Sequence, residues 1–175
     1  FCLYRCKGDY KVMKKILLCM LTALTLLGCT KKGTNGNATP NVEIPTPFIE
    51  VSSKEEAEKE IGFNLSIPEE INENTPSIHL IYKDLKMIEV QYLTSNEDKY
   101  AYIRKAKGTS EDISGDYNSY SLTKEEKIND FEVTFKLNDD KVYTAVWKND
   151  GYSYCLNVQN GLDENEFKQL ISIIQ

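Results

Sequence analysis

The chain has 175 residues, 41% hydrophobic and 27% charged, with a net charge of −6 at neutral pH. That length fits one domain plus flanking segments, at ~100–200 residues per domain. An acidic chain without a basic stripe argues against nucleic acid as a partner, because that binding depends on Lys and Arg neutralising phosphates.

Phe1 to Val12 resembles neither a signal n-region nor a folded segment, and residues 1–12 read as a mis-assigned upstream extension. Met13-Lys14-Lys15, the apolar run Ile16 to Leu27, and Leu26-Leu27-Gly28-Cys29 then predict a lipoprotein signal peptide over 13–28. The run is too short to cross the ~30 Å core of a bilayer as a helix. Gly28 is the small residue before cleavage, and Cys29 is the expected lipidation site, starting the mature chain. Its acyl chains are the predicted link to the membrane, on the extracytoplasmic face of the cell. Removing 1–28 takes away five basic residues and one acid, leaving roughly −10 on the remainder. Of five cysteines, only Cys29 and Cys155 follow the signal. No intramolecular disulfide is expected, which suits a Gram-positive cell envelope and an ordinary apolar core.

Residues 29–47 hold the lipidated cysteine and a Lys-, Gly-, Asn-, Thr- and Pro-rich stretch without hydrophobic periodicity, expected to be a flexible tether. A globular α+β domain is expected over 48–175. Ser52-Ser53-Lys54-Glu55-Glu56 contains two overlapping capping boxes and Gly62 is a helix C′ glycine, predicting a helix over 53–61. Residues 62–75 read as loop. Period-two alternation predicts strands at Ile78–Tyr82, Ile88–Tyr92, Tyr100–Arg104, Phe131–Leu137, Val142–Trp147 and Tyr152–Val158. Turns at Ser95–Asp98, Asn138–Asp140 and Asn149–Gly151 suggest hairpins between neighbours. The expectation is an antiparallel meander of about six strands, one face packed and one face wet, with Lys107 to Asp130 a long loop. Asp163, with Glu166 three residues on, caps a closing helix whose stripe Phe167, Leu170, Ile171, Ile174 should lie on the apolar face.

Signals for chemistry are weak. The lone histidine, His79, sits in a strand without a catalytic motif and reads as a surface or half-buried strand residue. One histidine and one free cysteine make a poor zinc set. Cys155 reads as a small residue filling a pocket on the less apolar sheet face, and nothing basic beside it in sequence lowers its pKa. Asp116-x-Asn118-x-Tyr120 begins like a calcium loop, but Ser121 stands where the loop glycine belongs and Lys127 where the closing Glu belongs. No metal, cofactor or catalytic set is therefore expected. Acidic pairs such as Asp139-Asp140 and Glu125-Glu126 keep a cell-envelope hydrolase as the alternative. Tyr143, Trp147, Tyr152 and Tyr154 fall on predicted strands, either packing or forming an aromatic surface for a glycan or peptide.

Ile113-Ser114-Gly115-Asp116-Tyr117-Asn118-Ser119-Tyr120, with Ala145-x-Trp147 and Gly151-Tyr152-Ser153-Tyr154, resembles the bacterial family catalogued as domain of unknown function 4367. The resemblance covers about Phe48 to Gln175 and departs at Phe135-Lys136-Leu137, where such proteins often read L-K-G. It implies an envelope lipoprotein or an outward-facing part of a membrane protein, and no site is carried over. From the residues themselves, Gly115 permits a left-handed turn, Asp116 and Asn118 can bond nearby amides, and Tyr117 and Tyr120 can pack back on the sheet. The alternative makes Asp116, Tyr117, Asn118 and Tyr120 an exposed recognition loop. The leading expectation is a non-enzymatic, lipid-anchored domain binding an envelope protein, peptide or glycan, with a sensor or regulatory role on the family analogy.

Overall fold

The structure is a computed structural model. Contacts divide the chain into Phe1–Glu43 and Ile44–Gln175, and residues 47–108 and 112–175 are described, all within the second unit. The upstream extension, the signal peptide, Cys29 and nearly all of the tether lie outside the described residues.

The elements run β1 (Ile49–Val51), α1 (Lys54–Ile61), β2 (Pro76–Tyr82), β3 (Met87–Leu93), β4 (Lys99–Lys107), β5 (Leu122–Ile128), β6 (Phe131–Asn138), β7 (Lys141–Asn149), β8 (Tyr152–Leu162) and α2 (Glu164–Ile173). The α+β class and both helices match the expectation, but the sheet has eight strands, not about six. The additions are β1, too short to alternate, and β5, inside the expected loop. β5 reads LTKEEKI, with charges on both faces, so it carries no apolar period. It is a strand because its backbone pairs with β6 from Leu122↔Leu137 to Ile128↔Phe131. Nor is the sheet one meander. The order β1-β2-β3-β4-β8-β7-β6-β5 joins two four-stranded meanders through the pair β4–β8.

Local chemistry explains the helix ends. Ser53 caps α1, its hydroxyl accepting from the Glu56 amide, while the Glu56 carboxylate accepts from the Ser52 amide. Gly62 closes the helix at φ 89°. Glu58 then accepts from the amide of buried Leu65, drawing the following loop onto the helix. Asp163 caps α2 by accepting from the Asn165 amide. A square of ion pairs among Lys124, Glu126, Glu164 and Lys168 ties edge strand β5 to α2. Hydrogen bonds from Lys124 and Lys168 pull the Glu126 pKa down to about 2. Charged edges of this kind also discourage pairing with other chains.

The main core lies on one sheet face, beneath both helices. It gathers Ile88, Val90 and Tyr92 from β3, Val133 and Phe135 from β6, Leu156 and Val158 from β8, and Phe167 and Ile171 from α2. Trp147 stacks on Tyr154 at 5.3 Å, and Phe135 meets Phe167 edge-on at 6.5 Å. Burying each such side chain contributes ~1.5–3 kcal/mol. The opposite face is not wet, as the meander reading expected. It carries a smaller cluster of Met87, Tyr102, Ala106, Ile113 and Cys155. What covers it is the segment after β4.

Candidate binding surface: a strap across the second sheet face

Residues 112–121 cross the second face as an irregular strap. Its anchor is Arg104, in the middle of β4. The guanidinium Nε donates to Glu89 on β3 at 2.5 Å, and Nη1 donates to the carbonyls of Ile113 at 2.8 Å and Ser114 at 2.6 Å. The side chains of Arg104 and Glu89 are only 13% and 2% exposed. The Tyr102 hydroxyl donates to the Ser114 carbonyl as well. Gly115 turns the strap at φ 61°, directly over the guanidinium, where a Cβ would stand 2.6 Å from Arg104 Nη1. A glycine is therefore needed there for both backbone and space.

Asp116 is the second anchor. Its carboxylate accepts from the Thr144 hydroxyl on β7, the Tyr120 hydroxyl, and the amide and side chain of Asn118. Burial pushes its pKa up, but the hydrogen bonds from Thr144, Tyr120 and Asn118 outweigh that and hold it below the ordinary carboxylate value. The Tyr120 hydroxyl moves the other way, raised by burial and by its bond to Asp116. At the start of the strap, Asp112 accepts from the Ser114 amide and from Lys136. There too burial is outweighed, by the bonds from Lys136 and Ser114, and the pKa falls. Cys155 is fully buried on this face, and burial raises its thiol pKa.

The four recognition-loop candidates thus divide. Asp116, Asn118 and Tyr120 hold the strap, Tyr120 also lying 6.1 Å from Tyr143. Tyr117 does not pack back on the sheet: it is 97% exposed. Beside the strap, a groove of about 440 Å³ is lined by Asp112, Ile113, Thr134, Val146 and Ser153, among others.

The four aromatic-surface candidates do not share a surface. Trp147 and Tyr154 are 4% and 3% exposed in the main core. Tyr152 packs on Phe63 at 5.0 Å, whereas Tyr143 lies against Tyr120. Tyr152, Tyr154 and Phe63 surround the ammonium of Lys105, 4.5, 5.3 and 5.4 Å away, and that ammonium also donates to the Asn64 carbonyl. These rings solvate a buried lysine through their π faces.

Sequence reasoning missed Glu89, Arg104, Thr144 and Asn157. The available signal was a charge inside an otherwise apolar strand, as in Ile88-Glu89-Val90 and Ile103-Arg104. His79 lies half-buried on β2, its pKa lowered by burial. Among the described residues, no group of three or more His, Cys, Asp or Glu is placed to hold a metal ion, and no helix is long and apolar enough to cross a membrane. No model of a protein family, no curated protein and no solved structure matches the chain.

Proposed function

We propose that this chain is a lipid-anchored domain at the extracytoplasmic face of a bacterial cell membrane, held by acyl chains on Cys29, which binds an envelope component and catalyses no reaction. The resemblance to the domain of unknown function 4367 family is part of this reading. The observation that carries the binding role is Tyr117. A large aromatic stays in water, forgoing the ~1.5–3 kcal/mol that burial gives. It does so on a backbone pinned by Arg104 and Asp116. A tyrosine presented on a rigid loop loses little entropy on contact, and buried tyrosines are among the residues that dominate interface energies.

A photo-crosslinking amino acid at position 117, expressed in intact cells, tests this. One discrete adduct with an envelope component is expected, absent when the same group is placed at exposed Glu70 on another part of the domain. No adduct, or the same smear from both positions, counts against binding at the strap.

A further inference from the structure

The pair β4–β8 is regular from Lys107↔Tyr152 to Ala101↔Val158 and then stops. Both strands leave the ladder there. On β4, Tyr92 faces Ala101 and Leu93 faces Lys99, so Tyr100 is the extra residue. On β8, Thr144 faces Asn157 but Val142 faces Leu162, so four residues, Val158 to Gly161, stand where β7 has only Tyr143, and the three after Val158 have left the β4 ladder. Gly161 makes that excursion at φ 61°, so close to β7 that a Cβ would come within 3.0 Å of Lys141 and Tyr143. Bulges re-aim side chains and concentrate beside functional sites. Here two facing irregularities border a cleft of about 630 Å³. Thr94, Asp98 and Lys99 line it from the β3–β4 side, and Asn157, Gln159 and Asn160 from β8.

The lining defines what fits. Tyr100 and Ala101 are the apolar residues of the lining and both are buried in the main core, so an apolar ligand gains little. Asp98 and Lys99 balance in charge, and the Lys99 ammonium is drawn over the Tyr102 ring at 5.0 Å. A strongly charged ligand therefore meets no complementary field. What remains is hydrogen bonding. The hydrogen of the Thr144 hydroxyl goes to the Asp116 carboxylate, so that hydroxyl must accept from the Asn157 NH₂, at 2.7 Å. This fixes the Asn157 amide and leaves its oxygen as an acceptor. The Thr94 hydroxyl oxygen accepts from the Asp98 amide, leaving its hydrogen to donate. Gln159 and Asn160 are exposed.

We propose that this cleft binds a neutral glycan, which rests on the reading of the chain as an envelope-binding domain and adds to it a second contact, separate from Tyr117. Each sugar hydroxyl both donates and accepts, and neighbouring hydroxyls match the paired oxygen and NH₂ of Asn and Gln and the two oxygens of Asp98. The Asp116–Thr144–Asn157 chain of hydrogen bonds connects the strap to the cleft floor.

Saturation-transfer NMR on the full chain in a sugar-free detergent, titrated with chitotetraose and with maltotetraose, provides the test. Saturable transfer to at least one sugar is expected, the first marking an N-acetylated wall glycan and the second a plain hexose polymer. Gln159→Ala/Asn160→Ala should weaken it about tenfold or more, and Glu70→Ala, at an exposed position outside both the strap and the cleft lining, should leave it unchanged. Transfer from neither sugar, or equal affinity in the double variant, overturns the assignment. If position 117 still crosslinks an envelope component, the glycan falls alone; if that also fails, the binding reading falls with it.

Discussion

At the scale of single residues, the feature that organises the second face is the buried pair Arg104–Glu89. Removing one partner of a buried pair leaves the other charge unpaired, at a cost of ~3–5 kcal/mol. Arg104→Met should therefore destabilise the domain by about that much, and Arg104→Met/Glu89→Leu by less than the single variant, as read from urea midpoints. A double variant as unstable as the single one would show that the strap carbonyls, not Glu89, account for the cost. Neither residue was legible as a partner. Glu89 and Arg104 sit opposite each other on β3 and β4, but each alone reads as an outward-facing charge. The local bonds were legible: Asp116 to Asn118 is a two-residue contact of the kind short acidic turns make.

At the scale of elements, the strap behaves as a lid of fixed position whose attachment depends on ionised carboxylates. Asp112 and Asp116 have folded-state pKa values below normal, with burial opposing and hydrogen bonds prevailing. The unfolded chain then takes up protons more readily in acid, near pH ~3.9 for an ordinary Asp. The strap's stabilisation is present above about pH 4 and fades as pH falls through the lowered values. Cys155 reports on this, being buried on the strapped face. Labelling with 4,4′-dithiodipyridine, which reacts in acid, should leave Cys155 unmodified at neutral pH and modify it below about pH 4. Asp116→Ala should expose it at neutral pH while the fluorescence of buried Trp147 stays native. Protection that persists in both cases would mean the apolar contacts of Ile113 suffice to hold the strap. The sequence marked the strap as unusual but left β5 inside a loop. The Asn129-Asp130 pair before the clear strand Phe131–Leu137 was a two-residue turn signal, and Asn129 indeed turns at φ 53°. What concealed β5 was the absence of an apolar face.

At the scale of the molecule, alternation identified six strands and the Phe167, Ile171, Ile174 stripe identified the packed face of α2. Turn chemistry joined neighbours into hairpins, as in the Asp150-Gly151 turn with both residues at positive φ. It carries no information about β4 finding β8, whose pairing depends on both strands being buried on both faces. Stability should follow that architecture. Hydrogen exchange read by mass spectrometry should find the slowest amides in β4 and β8 and the fastest strand amides in β1 and β5, the two edges. Equal protection across all eight strands would show that the edge strands open only with the whole sheet.

The β4–β8 seam has a further consequence. Its partners are about 50 positions apart along the chain, while every other neighbouring pair in the second meander is joined by a two-residue turn or close to it. Each half can therefore form its own hairpins before the seam closes, and until then β4 and β8 each present a bare inner edge. The complement of one molecule's β4 is the β8 of any copy. If the proposed lipid anchor holds, chains side by side on a membrane meet at high effective concentration, and exchange of halves between neighbours is the misassembly this topology invites. The strap, which bonds to Arg104 on β4 and Thr144 on β7, ties the two halves of one chain together and opposes that exchange.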